Sequence, residues 1–183
     1  MFSTRGDSAL VILVPEADAI VGRWRERHDP SAEEGMPAHI TVLYPFLPDR
    51  ELGPVEIDTI SDFSRSHYAF RTVFSRMGHF PTVLWVDPGS PECTHLLAQA
   101  RHCWPQCLPY GRTNIPVIPH LTVTDGADAD TEAAAEQDVM ARLPLTFDVE
   151  ALSLMIFDGS RWRERERFSL GQGDHAPDAE ISS

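Results

Sequence analysis

Two apolar runs, PAHITVLYPF (residues 37–46) and IPHLTVTDG (118–126), each carry a histidine and a threonine two places apart. Successive side chains of a strand point to opposite faces. His39 and Thr41 would therefore share one face, with Ile40, Val42 and Tyr44 on the other. The same alternation groups His120, Thr122 and Thr124 away from Leu121 and Val123. Each strand thus has one apolar face for a core and one small polar face that a core would not accept. A chain with two such strands needs its sheets to open onto a groove. The polar faces meeting there would form a site with near twofold symmetry.

The remaining pattern supplies the partners for these strands. SALVILVP (8–15) reads as a buried strand, followed by a helix over 16–29 with Ala19, Ile20 and Trp24 at helical spacing. EEGMP breaks the chain before the strand 38–46. A helix over about 54–66 begins near Pro54, with Val55, Ile57, Ile60 and Phe63 on its apolar side, and 69–81 reads as a strand ending at Gly78. In the second half, 82–87 is a strand and 90–104 a helix entered through Ser90 and Pro91. A Pro-rich connection (105–119) leads to the strand 119–124, then an Ala-rich helix (129–142). The runs 145–157 and 161–170 form a hairpin across Asp158-Gly159. Both halves read strand–helix–strand–helix–strand, with the His-x-Thr strand as the third element. The expectation is one bilobal domain over 1–170, with halves of about 8–80 and 81–170, and the motif strands near the centres of two sheets. The polar residues 171–183 read as a disordered tail.

Composition removes several classes of function. The 183 residues carry a formal net charge of −13, which argues against affinity for long nucleic acids. A small or terminal phosphate in a local pocket is not excluded. All fifteen basic residues are arginine, so a P-loop lysine and a lysyl intermediate are both impossible. No apolar run is long enough for a membrane span. Three cysteines, Cys93, Cys103 and Cys107, are too few and too clustered for a disulfide framework, and a reducing cytoplasm is expected. Cys103 and Cys107 with His95 and His102 nearby lack the tight CxxC pairs of structural zinc sites, so no metal is expected.

In-line attack at phosphorus calls for a base beside the nucleophile and an acid beside the leaving group. Imidazole suits both roles near neutral pH. Threonine hydroxyls can donate hydrogen bonds to the non-bridging phosphate oxygens. A strained 2′,3′-cyclic phosphate could be opened by water with this machinery alone.

PAHITVLYPF and IPHLTVTDG resemble the two signature motifs of the 2H phosphoesterase superfamily, in particular its 2′-5′ RNA ligase-like branch. GHFPTVLWVD (78–87) is similar to that branch's turn between lobes, and the closing hairpin with Trp162 and Phe168 is similar to its counterpart there. The resemblance covers roughly residues 8–170. It implies an α+β bilobal fold, two mainly antiparallel sheets facing a central cleft with helices outside. It also implies hydrolysis of 2′,3′-cyclic phosphates or related phosphodiesters without a metal or other cofactor, and reversible ATP-independent 2′-5′ joining of RNA ends in some members. Carried over residue by residue, His39 and His120 are the catalytic pair, and Thr41 and Thr122 bind the phosphate. By the same resemblance His120 activates water and His39 protonates the leaving oxygen. The expected partner is a small nucleotide or RNA end, acted on by a monomer, with no membrane and no long nucleic acid. Arg71, Arg76 and Arg161 read as surface residues, and Tyr44 and Phe80 as core. The competing expectation is a non-catalytic module of the same fold that binds nucleotides or RNA ends.

Overall fold

The computed structural model describes residues 3–108, 116 and 118–172. The tail expected over 171–183 therefore lies outside the described residues from 173 onward, as does most of the Pro-rich connection.

The architecture is α+β with two antiparallel sheets, as the sequence pattern suggests. The first helical turn after strand β1 (Ser8–Leu13) is a 3-10 turn, Pro15–Ala17, which runs into α1 (Asp18–His28) and the short α2 (Pro30–Glu33). Strand β2 (His39–Leu43) carries the first motif and α3 (Pro54–Arg65) follows. Ser90 caps α4 (Pro91–Cys103) by accepting the Cys93 N–H at 3.0 Å, as the Ser-Pro pair suggests. Strand β6 (Leu121–Asp125) carries the second motif, and α5 (Ala129–Met140) begins at Asp128, whose carboxylate takes two backbone N–H groups.

Two long strands expected from the sequence are each broken in two. The run 69–81 forms β3 (Phe70–Phe74) and β4 (Arg76–His79), which pairs with β5 (Val83–Asp87) as a hairpin. The run 145–157 forms β7 (Leu145–Val149) and β8 (Ala151–Phe157), which pairs with β9 (Trp162–Ser169) across Asp158-Gly159. The breaks at Ser75 and Glu150 do the same job. Each hands one strand to a small sheet, β3–β7, and keeps the next in a seven-stranded sheet of order β4-β5-β6-β2-β1-β8-β9.

The motif strands are therefore not at the centres of two separate sheets. They are neighbours in the large one, joined through the register pair Ile40↔Leu121. Edge contact between β2 and β6 puts the two polar faces on one surface without needing a second sheet to oppose them.

One face of the large sheet carries the helices. Leu10, Ile12, Ile40, Val42, Leu121 and Val123 are all buried in the main core. The buried stripe of α1 is Val21 and Arg25, continuing from Ala17 in the preceding 3-10 turn, with Ile20 and Trp24 only partly covered and Ala19 exposed. The helix is thus rotated from the expected apolar side, because it lies on β6 with 17, 21 and 25 inward. Val55, expected on the apolar side of α3, is 71% exposed in its first turn. On the opposite sheet face a smaller apolar cluster of Ala9, Val11, Met36, Met155, Phe157 and Trp162 supports one end of a cleft.

Candidate active site

Alternation along β2 delivers His39 and Thr41 to the cleft face while Ile40 and Val42 are buried behind. Along β6 it delivers Thr122, with His120 just before the strand, while Leu121 and Val123 go inward. All four motif side chains line one cavity of about 200 Å³. The alternation fails at two places. A bulge where β5 pairs with β6 turns Thr124 into the core, its hydroxyl without a hydrogen-bond partner among the described residues, and Asp125 lines the cleft in place of Thr124. Tyr44, expected beside Ile40 and Val42, lies past the end of β2 and faces the cleft, edge-on to Trp162 at 5.9 Å.

The two histidines are held by the same device. Nδ1 of His39 meets the Pro37 carbonyl at 2.8 Å, and Nδ1 of His120 meets the Ile118 carbonyl at 2.8 Å. A carbonyl can only accept, so each Nδ1 carries its proton and Nε2 is the nitrogen left for a ligand. In its neutral form each Nε2 can accept a proton, and in its charged form each can donate one.

The electrostatics of the two rings differ. His39 is pushed down to about 4, first by burial and then by the nearby Arg25 guanidinium. The charge of His120 acts the same way, while the Pro37 carbonyl and Asp29 oppose it. His120 is also lowered, by burial, against the stabilising Ile118 carbonyl. Both rings therefore favour the neutral form.

The sequence pattern does not reveal what closes the ends of the cleft. At one end Glu34 accepts from Ser3 Oγ (2.6 Å) and Trp162 Nε1 (3.2 Å). Near His120, Phe80 packs edge-on to the imidazole with centroids 5.1 Å apart, and Trp85 approaches at 6.1 Å. Trp85 lies flat over Gly78, where a Cβ would come within 2.3 Å of its ring. Phe80 is thus only half-buried and touches the site, rather than filling the core. Three carboxylates, Asp29, Glu34 and Asp125, also line the cavity. Arg71 and Arg76 are exposed and paired with Asp148 and Asp87, and with Arg161 they stand outside the cleft lining. Cys93 and Cys107 are buried and Cys103 is exposed. Among the described residues no group of three or more His, Cys, Asp or Glu is placed to hold a metal ion.

A larger cavity of about 670 Å³ lies between the start of β3 and the N-terminal turns of α4. It contains none of the motif residues, whereas the smaller one holds both motif histidines and both motif threonines. Among the described residues no helix is long and apolar enough to cross a membrane.

Comparison with known proteins agrees with this geometry. Curated protein sequences give no significant match. The fold matches TT0787 of Thermus thermophilus with a TM-score of 0.64 at 20% identity, covering 92% of this chain and 100% of that one. It also matches E. coli LigT complexed with 3′-AMP, with a TM-score of 0.57 at 20% identity, covering 91% and 99%. LigT complexed with NADP+ gives 0.55 at 18% identity, covering 93% and 100%. The model of the 2′-5′ RNA ligase superfamily matches residues 13–161, so most of the chain, both motifs included, belongs to that family of 2H phosphoesterases.

Proposed function

We propose that this protein is a metal-independent phosphodiesterase that opens 2′,3′-cyclic phosphates on small nucleotides or RNA ends. The observation that carries the reading is the matched pair of histidines in one cavity. Each is fixed through Nδ1 by the carbonyl two residues back, with a threonine hydroxyl beside it.

In this scheme one Nε2 takes a proton from water as its oxygen bonds to phosphorus. The other Nε2 gives its proton to the ribose oxygen as the P–O bond breaks. Thr41 and Thr122 donate hydrogen bonds to the non-bridging oxygens, where charge builds in the transition state. Run with a ribose hydroxyl as nucleophile, the same groups would join RNA ends through a 2′-5′ linkage without ATP.

Substrate size and charge follow from the cavity. A volume of about 200 Å³ with Asp29, Glu34 and Asp125 in its lining suits one phosphodiester on a nucleoside rather than a long polyanion. The LigT structures with 3′-AMP and NADP+ are consistent with nucleotide-sized ligands. Residues 1–170 would act as one bilobal domain, as a monomer in the cytoplasm.

The test is turnover of the four 2′,3′-cyclic nucleotides and of 2′-5′ linked dimers, with and without EDTA. Activity should survive chelation. Because both rings are lowered in the free protein, the bell of kcat/KM should centre on the acid side of the usual histidine pKa of about 6.5. Binding without turnover of any of these substrates would overturn the reading in favour of a non-catalytic module.

A further inference from the structure

Arg25 is 3% exposed and lies on the inward face of α1 one turn after Val21. A guanidinium placed there must have its N–H groups met. Nε donates to Asp29 Oδ2 at 3.0 Å; Nη2 donates to the Met36 carbonyl at 3.1 Å and to Ser31 Oγ at 3.3 Å. Nη1 stands 3.9 Å from Asp18 Oδ1. Asp29, itself 6% exposed, is occupied on its other oxygen by the Ser31 N–H and hydroxyl. Buried ion pairs are weak sources of stability, since apolar side chains of similar volume often replace them without loss. The location of this pair suggests a different purpose.

Among the described residues, every group to which Arg25 donates a hydrogen bond belongs to the cleft wall. Asp29, Ser31 and Met36 all line the cavity beside His39. The Met36 carbonyl, gripped by Nη2, immediately precedes the Pro37 carbonyl on which the His39 ring hangs. We propose that Arg25, braced by Asp29, is a positioning residue that fixes the His39 ring through the Met36–Pro37 wall and keeps a permanent positive charge behind it. Its effect on turnover rests on the phosphodiesterase reading. The positive charge of Arg25 opposes a second positive charge on His39, in the same sense as burial. His120 is lowered by burial, with no arginine among the causes. The other titratable groups lining this cleft are Glu34 and Tyr44 on the His39 side and Asp125 at the end of β6.

The first measurement needs no substrate: an NMR titration of the histidine rings in the full chain. Arg25→Gln should raise the proton affinity of His39 by about tenfold, Asp29→Asn should lower it, and Arg25→Lys should leave it near wild type. Opposite signs for the two neutralising variants are the signature, because mere loosening of the wall would move both the same way. A folded Arg25→Gln with an unchanged His39 midpoint overturns the proposal, as do shifts of one sign in both variants. Should Arg25→Gln fail to fold, Asp29→Asn and Arg25→Lys decide by the same criteria. The second measurement is kcat/KM against pH with a 2′,3′-cyclic nucleotide. The limb of the profile that His39 sets should move up with its midpoint in Arg25→Gln; a profile unmoved while the His39 midpoint shifts would overturn the link from Arg25 to turnover. Absence of all turnover in the wild-type protein overturns the phosphodiesterase reading, while the titration still decides whether Arg25 governs His39.

Discussion

The β2 and β6 sides of the cleft present the same pair of functional groups in different surroundings. On each side a histidine Nδ1 is tied to the carbonyl two residues earlier at 2.8 Å, and a threonine follows on the same face. Behind His39, however, lies a buried arginine–aspartate pair, whereas His120 is flanked by the rings of Phe80 and Trp85. The local sequence sets the orientation of each imidazole, and segments distant in the chain set its character. Two halves alike in local geometry are thus made unlike by what packs against them.

The strongest way to break this comparison is to remove one ring at a time. His39→Ala or His120→Ala should each lower kcat/KM by ~10²–10⁴-fold, the usual range for losing a positioned acid or base, with little change in thermal stability. Near wild-type turnover in either variant would mean that one half is dispensable. Loss of one of the threonine hydroxyls proposed to bind the phosphate ranks next. Thr41→Val or Thr122→Val should cost on the order of 10²-fold in kcat, the scale of one removed oxyanion donor. A loss confined to one of the two would show the transition-state charge leaning toward that side.

A smaller effect tests the aromatic surroundings of His120. An edge-on ring contact is worth about 0.5–1.5 kcal/mol, so Phe80→Ala should reduce kcat/KM by about tenfold at most. In an NMR titration it should perturb His120 and leave His39 unmoved. Equal perturbation of both rings would erase the distinction between the two sides.

The last effect is on stability. The folded-state pKa of His39 is depressed to about 4, so the unfolded chain binds more protons between that value and about 6.5. The sign is therefore that this ring's contribution to stability is present above about 6.5 and is lost as pH falls toward 4. Chemical denaturation of wild type and His39→Gln across that interval should show a shallower slope in the variant. Parallel slopes would mean that His39 is as easily protonated folded as unfolded.

Much of the site was legible in the sequence, because period-two alternation around His39 and His120 survives folding unchanged over the residues that matter. The Ser90-Pro91 helix entry and the Asp158-Gly159 turn were readable from local chemistry as well. Alternation failed where a bulge or a chain turn intervened, which is why Thr124 and Tyr44 exchanged faces. Nothing in the apolar runs 69–81 and 145–157 marks Ser75 and Glu150 as breaks, since each run stays strand-like while changing sheets. Arg25 carried a signal that is recognisable in hindsight. The spacing Ala17, Val21, Arg25, Asp29 is an apolar stripe that ends in an i,i+4 ion pair, and a charge on the inward face of a helix calls for a partner. Its relation to His39 depends on how α1 packs, which the sequence does not state.

The interleaving of the strands also governs how the chain can reach this structure. β1 pairs with β8, β2 with β6 and β3 with β7, so only the β1–β2, β4–β5, β5–β6 and β8–β9 pairings join strands that are consecutive in the chain. Contacts between distant segments must be closed against chain entropy before they give anything back, and proteins with such topology fold slowly. Until the C-terminal third is available, β1 lacks β8, β3 lacks β7, and their open edges are templates for pairing with other chains. A ribosome releasing this chain delivers β8 almost last, so the nascent N-terminal half waits with unpaired edges for its partners, and cutting the chain between its halves would leave neither piece able to complete a sheet.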